Sequence, residues 1–171
     1  FDTLNIRYAT GERTSGVYNM RFLQRHAIVP QEGPVILFGS IGDAPEDTEF
    51  VKHRVARSWD YFPTGRNVEA AVKLWADGIQ DTLVELGISG EPLALDRIDY
   101  LGVNALQNKE IPLADGRVPI EKARSIKTTD EISLIRQACA VADIGICRVR
   151  DAIEPGVTEN KLFSILTATN I

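Results

Sequence analysis

The side chains best suited to chemistry in this sequence are two histidines and two cysteines. His26 and His53 lie in strand-like sequence, with no H-E-x-x-H motif and no cysteine pair near either, so each is interpreted as a structural histidine. Cys139 and Cys147 fall in a predicted helix, about 12 Å apart along its axis, which is too far for a disulfide between them. We expect both cysteines to be small buried residues with reduced thiols.

The acidic and glycine-rich segments do not form a recognisable site either. Asp43, Glu46, Asp47 and Glu49 lack the alternating oxygen ligands and the central glycine of a calcium loop, which favours a solvated acidic loop. Residues 39–42 have neither the length nor the lysine of a phosphate-binding loop, and no serine stands in a G-x-S-x-G motif. The residues alone therefore indicate an α/β domain without a visible active site.

Bulk composition limits the classes of partner. A chain of 171 residues allows one domain, or a domain of about 125 residues and the beginning of a second. The net charge of −5, with Lys and Arg spread thinly, argues against nucleic acid as a partner. No apolar run is long enough for a membrane span and no signal peptide is visible, so we expect no membrane partner and a cytoplasmic location.

The first two thirds of the sequence alternate between strand and helix patterns. Residues 5–11 alternate apolar and polar positions and predict a strand, and residues 18–29 and 35–38 predict a hairpin whose second strand is buried on both faces. Residues 50–59 predict another strand, and residues 67–87 a helix capped by Asn67 and ended by Gly87. Residues 93–95 predict a short strand and residues 99–106 one or two helical turns. This order is typical of an α/β layered domain.

The last third of the sequence is helical. Thr128 and Glu131 form the pattern of a capping box, followed by an apolar stripe at helical spacing that ends before Pro155 and Gly156. Thr158 can begin a further helix. The change of pattern predicts a domain boundary near residues 121–127, with one domain over 1–122 and a second segment over 123–171.

Three short motifs resemble a known family. Residues 5–11, Asn-Ile-Arg-Tyr-Ala-Thr-Gly, resemble the N-I-R-Y-x-T-G strand near the start of creatinase, prolidase and aminopeptidase P proteins. Residues 124–138 look like the R-x-I-K-S-x-x-E-I-x-x-I-R-x-A signature that opens the pita-bread catalytic domain of that family. Residues 153–159 resemble its I-x-P-G-x-T-E linker between two helices. The three motifs span nearly the whole chain.

The resemblance implies a fold and a metal centre. It implies a creatinase/prolidase N-terminal domain-like mixed β-sheet flanked by helices, followed by a C-terminal helical segment that opens a truncated pita-bread domain. In this family two Asp, one His and two Glu bind two divalent metals, which activate a water. None of the five ligands matches a position here, so we expect no catalytic residue, metal ligand or cofactor in this chain. A pair of Mn, Zn, Co or Fe ions is implied for the full-length enzyme.

The function implied by the resemblance is that of an amino-terminal portion of a metal-dependent Xaa-Pro peptidase-like hydrolase. We expect the chain to act in homodimerisation and active-site gating, with a small peptide or small molecule as the substrate of the full-length enzyme. Arg7, Tyr8, Tyr18 and Trp59 are candidates to line the mouth of a partner's site, the alternative being sheet packing or a surface ion pair.

Two other functions remain open. The family also contains creatinase and a dimethylsulfoniopropionate lyase, and residues 15–19, 29–38, 158–160 and 169–171 resemble that lyase branch. A purely non-catalytic interaction module is the third possibility. Because the sequence lacks an initial Met and runs out in an apolar helix-like stretch, we expect both of its ends to be cuts.

Overall fold

The chain contains an α/β unit and a helical unit. The computed structural model describes residues 1–12, 25–39, 47–59 and 65–170, and it divides into two compact units, Phe1–Lys122 and Ala123–Ile171. The described elements, in chain order, are α1 (Thr3–Thr10), β1 (His26–Ile28), β2 (Val35–Gly39), β3 (Val51–Val55), α2 (Val68–Glu85), β4 (Leu93–Leu95), α3 (Tyr100–Gln107), β5 (Leu113–Asp115), α4 (Arg117–Ser125), α5 (Thr129–Asp151) and α6 (Glu159–Asn170).

The main sheet of the first unit is mixed, as expected. β2 lies between the other two strands, antiparallel to β1 with His26 opposite Phe38, and parallel to β3 with Leu37 opposite His53. The predicted hairpin is therefore confirmed for the part of residues 18–29 that the structure describes. β4 and β5 form a separate parallel pair.

Both faces of β2 are buried, because successive side chains of a strand point to opposite sides of the sheet. Ile36 and Phe38 pack on one side in the main core, which includes Trp75 and Ile79 of α2. Leu37 points to the other side and packs with Ile6 of α1 and with Val51 of β3. The three apolar side chains are 1 to 8% exposed. The sequence prediction of a strand buried on both faces is thus confirmed.

The prediction that residues 5–11 form a strand is wrong, since these residues lie in and just after helix α1. The Asp2 carboxylate caps the helix by accepting the backbone N–H groups of Leu4 and Asn5 at 3.0 and 3.1 Å. Gly11 ends it in the left-handed region at φ 73°, and its N–H donates to the carbonyl of Arg7. Alternating polarity over seven residues also fits a short helix, and the two caps decide between them.

Helices α2 and α3 begin and end close to the predicted positions. Helix α2 is confirmed and Gly87 follows it at φ 70°, but Asn67 makes no side-chain cap bond. Asp99 caps α3 by accepting the Gly102 N–H at 2.7 Å. The sequence patterns missed β5 and α4, which have three and nine residues.

The second unit contains the predicted capping box. The Thr128 hydroxyl accepts the N–H of Glu131 at 3.2 Å, and the Glu131 carboxylate accepts the N–H of Thr128 at 2.7 Å. That second bond holds the pKa of the Glu131 carboxyl below its usual value. Helix α5 packs along α6, yet Cys139 and Cys147 are exposed, so the prediction that they are buried is wrong. The spacing of the two cysteines in the sequence does not show which face of α5 packs against α6.

None of the helices within residues 1–12, 25–39, 47–59 and 65–170 is both long enough and apolar enough to span a membrane.

A close backbone approach at Gly116, just before α4, gives a test of the fold. A Cβ there would lie 2.9 Å from the carbonyl carbons of both Ala94 and Leu95, which are backbone atoms that cannot rotate away. We expect Gly116→Ala to lower the free energy of unfolding by about 1–3 kcal/mol through overpacking. Urea denaturation of the chain measures this change.

Gly78 provides the matched control. It lies inside α2 with no atom within 4 Å of its Cβ position, so Gly78→Ala should raise the free energy of unfolding by about 0.5–1 kcal/mol. If both variants shifted stability in the same direction, the close packing of Gly116 against β4 would be contradicted.

Candidate functional site

Helix α1 divides its residues between the protein interior and the solvent. Asn5 and Ile6 are buried, whereas Arg7 and Tyr8 lie on the exposed side. Two of the four sequence-predicted access residues are therefore on a helix surface and not on a strand. Tyr18, the third, lies outside the described residues.

Trp59, the fourth predicted access residue, is part of the core. Its side chain is 2% exposed and its ring lies 4.4 Å from that of Trp75, centroid to centroid. The indole N–H donates to Oδ2 of Asp99 at 2.9 Å, while Oδ1 of the same carboxylate caps α3. Trp59 thus joins the segment after β3 to the start of α3.

His26 occupies an aromatic stack at the centre of the same core. Its ring lies 4.4 Å from Phe38, at an interplanar angle of 9°, and 4.8 Å from Phe1. The indole N–H of Trp75 donates to Nε2 of His26 at 3.4 Å. These contacts agree with the interpretation of His26 as a structural histidine.

A cavity of about 850 Å³ opens beside this core, within the first unit. Its wall is formed by the inner side of α1, the chain from β1 to Glu32, the end of α2, the segment around β4 and the start of α4. The volume falls in the range of small-molecule sites. The described lining contains three acidic side chains, Glu32, Glu91 and Asp96, and no Lys or Arg.

The Asp96 carboxylate is a hydrogen-bonded polar group in the cavity wall. Its Oδ2 accepts the side-chain amide of Asn5 at 2.9 Å and the backbone N–H of Asp2 at 3.3 Å. Sequence patterns singled out neither Asn5 nor Asp96. A signal existed for Asp96, because it is a carboxylate directly after a short apolar strand. Arg7, Tyr8 and Trp59 do not line this cavity.

A second polar arrangement surrounds His53 on β3. Nε2 of the ring lies 2.6 Å from Oε1 of Glu12, and Nδ1 lies 3.3 Å from Oδ1 of Asp47. Arg25 donates to the other Glu12 oxygen at 2.9 Å. Sequence reasoning missed both partners of this histidine. Glu12 is 41 residues away and only the fold brings it near, and Asp47, six residues away, was assigned to a solvated acidic loop.

These polar groups do not form a metal centre. The oxygens and nitrogens of Glu12, Asp47 and His53 are directed at one another, and in the part of the chain that the structure describes no group of three or more His, Cys, Asp or Glu side chains could hold a metal ion. A pair of divalent metals of the kind that the family resemblance implies therefore does not fit the described residues.

Comparison with known proteins gives a whole-chain similarity. The chain is 29% identical to "Dimethylsulfoniopropionate lyase DddP" of Roseobacter denitrificans and 28% identical to the protein of the same name from Roseovarius nubinhibens. Each alignment runs over 180 residues and covers 100% of this chain and 40% of the relative, so the chain spans well under half the length of the curated relatives it matches. No family model matches it.

The buried indole of Trp59 can be tested directly. Trp59→Phe removes the donor to Asp99 and part of the core volume, so we expect the free energy of unfolding to fall by about 1–3 kcal/mol. Tyr100→Phe is the matched control, because Tyr100 is 75% exposed and its change should stay within about 0.5 kcal/mol. Equal stabilities of the two variants in urea titration would contradict the structural role of Trp59.

Proposed function

We propose that this chain is part of a lyase that cleaves dimethylsulfoniopropionate, within the creatinase- and prolidase-like group of proteins. The observation that carries the proposal is the similarity to two lyases of that name over 100% of the chain. The sequence motifs agree at the level of the family, since the lyase branch is part of the family that they resemble. The non-peptidase alternative is thereby favoured over the Xaa-Pro peptidase.

The proposed reaction is an elimination. A base removes a proton from the carbon next to the substrate carboxylate, the electron pair forms the carbon–carbon double bond, and the carbon–sulfur bond breaks towards the sulfonium sulfur. Acrylate, dimethyl sulfide and one proton result, so atoms and charge balance. Because no residue of this sequence matches a catalytic position of the family, we assign the proton-accepting step to residues of the longer protein.

The role that we propose for the present chain is to support and gate that reaction. Phe1–Lys122 would be the amino-terminal domain and Ala123–Ile171 the opening helices of the catalytic domain, in a cytoplasmic homodimer. The cavity and the exposed side of α1 are the surfaces of the first unit that support such a role. A divalent metal pair, if the enzyme uses one, would be held by residues outside those described.

The reaction class is tested on the protein from the complete gene. Purified enzyme is supplied with dimethylsulfoniopropionate or with an Xaa-Pro dipeptide, and acrylate, dimethyl sulfide and free proline are measured. We expect acrylate and dimethyl sulfide in equal amounts and no proline. Release of proline without acrylate would replace this proposal with the peptidase, and the absence of both products would favour the interaction module.

The gating role is tested with Arg7, an exposed residue of α1. In the complete enzyme Arg7→Ala should raise KM by roughly tenfold, equivalent to about 1.4 kcal/mol of binding, with kcat and thermal stability unchanged. Arg97→Ala, which removes another exposed arginine of the first unit, is the control and should leave KM unchanged. Equal KM values for both variants and the wild type would exclude Arg7 from substrate access.

A further inference from the structure

We propose that His53 is a pH-sensitive clamp: as an imidazolium it joins Glu12, just past the end of α1, to Asp47, just ahead of β3, and it loses one of these two bonds when it gives up its proton. This role does not depend on the reaction that the protein catalyses. It rests on the positions of the two ring nitrogens and on the burial of the cluster.

The geometry determines how many protons the ring carries. Nε2 faces a Glu12 oxygen at 2.6 Å and Nδ1 faces an Asp47 oxygen at 3.3 Å. Ionised carboxylates accept hydrogen bonds and cannot donate them, whereas a neutral imidazole has only one N–H. With one proton, the lone pair of the other nitrogen would face a carboxylate oxygen. Only the imidazolium satisfies both contacts.

The arrangement around the ring favours ionised carboxylates. The backbone N–H of His53 donates to Asp47 at 2.8 Å and holds the pKa of that carboxyl below its usual value, and the His53 ring and nearby Lys52 lower it further. The two oxygens of Glu12 have different partners. One faces Nε2 of His53, and the other accepts a hydrogen bond from the Arg25 guanidinium at 2.9 Å. Each carboxylate that faces the ring therefore also accepts a hydrogen bond from a second donor.

Burial makes the Glu12 side of the clamp the stronger one. The side chains of His53, Glu12 and Arg25 are 9%, 19% and 13% exposed, so solvent and salt screen their interactions only partly. Asp47 is 51% exposed. A neutral ring that keeps its proton on Nε2 would therefore hold Glu12 and release the Asp47 side chain at Nδ1.

Two further charged residues, Lys52 and Arg54, lie beside His53 on β3, and neither faces the ring. Lys52 lies next to His53 on β3, 44% exposed, with its ammonium 3.7 Å from Asp47. Arg54, on the other side of His53 along the strand, donates instead to Thr82 and Glu85 of α2. In the described residues, the groups that face the ring itself are the carboxylates of Glu12 and Asp47.

The sign of the pH effect follows from the two contacts of the ring. The imidazolium donates to both Glu12 and Asp47, and deprotonation of the ring removes one of these two donors. The contribution of the clamp is therefore present at lower pH and is lost as the pH rises. At the acid end it is lost again as pH falls through the lowered pKa of Asp47.

Two measurements on the full chain test the clamp. In ¹⁵N-histidine NMR spectra at pH 6, we expect both ring nitrogens of His53 to be protonated and one of them to lose its proton as the pH is raised towards 9. A ring with a single protonated nitrogen at pH 6 would overturn the proposal. This measurement needs no variant, so it stands even where a substitution prevents folding.

The second measurement compares urea unfolding at pH 6 and pH 9. The unfolding equilibrium constant of the wild type should rise roughly tenfold more over this range than that of His53→Gln, because only the wild type loses a charge-assisted hydrogen bond of the ring as the pH rises. Lys52→Gln removes a positive charge from the same cluster without touching the ring, and it should keep the wild-type dependence. Equal slopes for wild type and His53→Gln, or a lost slope in Lys52→Gln, would overturn the clamp.

Discussion

The burial of β2 on both faces is the constraint on which the first unit depends. Ile36 and Phe38 need an apolar cover on one side of the sheet and Leu37 needs one on the other, because alternate side chains of a strand point in opposite directions. Helix α2 supplies the first cover and α1 the second. Each buried aliphatic side chain contributes about 1.5–3 kcal/mol, so a one-residue slip of this strand would expose most of that area.

This constraint also explains where the polar groups are found. Because Ile6 must reach Leu37 and Val51, α1 is held against the sheet, and its end brings Glu12 to the ring of His53. Asn5, the neighbour of Ile6, is held against Asp96 in the cavity wall. The cavity and the histidine cluster are thus two consequences of one helix–sheet contact. Neither resembles the metal centre of a creatinase-like hydrolase.

The lyase proposal comes from similarity over the whole chain, whereas the described side chains show a packed core, a cavity with three acidic lining residues and a hydrogen-bonded histidine. The recognisable helix signature around Thr128 is explained by its own chemistry, since the capping box satisfies backbone donors that would otherwise lack partners. A motif can therefore resemble that of a family because it satisfies backbone groups.

The sequence by itself determined the elements whose signals are local. Apolar residues at helical spacing over residues 67–87 predicted α2, and the continuous apolar run at residues 35–38 predicted a strand covered on both sides. The capping-box pattern of Thr128 and Glu131 predicted the start of α5. Only the tertiary structure decided which side chains meet. Residues 5–11 became a helix because Asp2 and Gly11 cap it, and Trp59 became a core residue because Asp99 lies beside it. Glu12 contacts His53 although the two residues are 41 positions apart in the sequence, and a local pattern of polar and apolar residues cannot predict a contact over that separation.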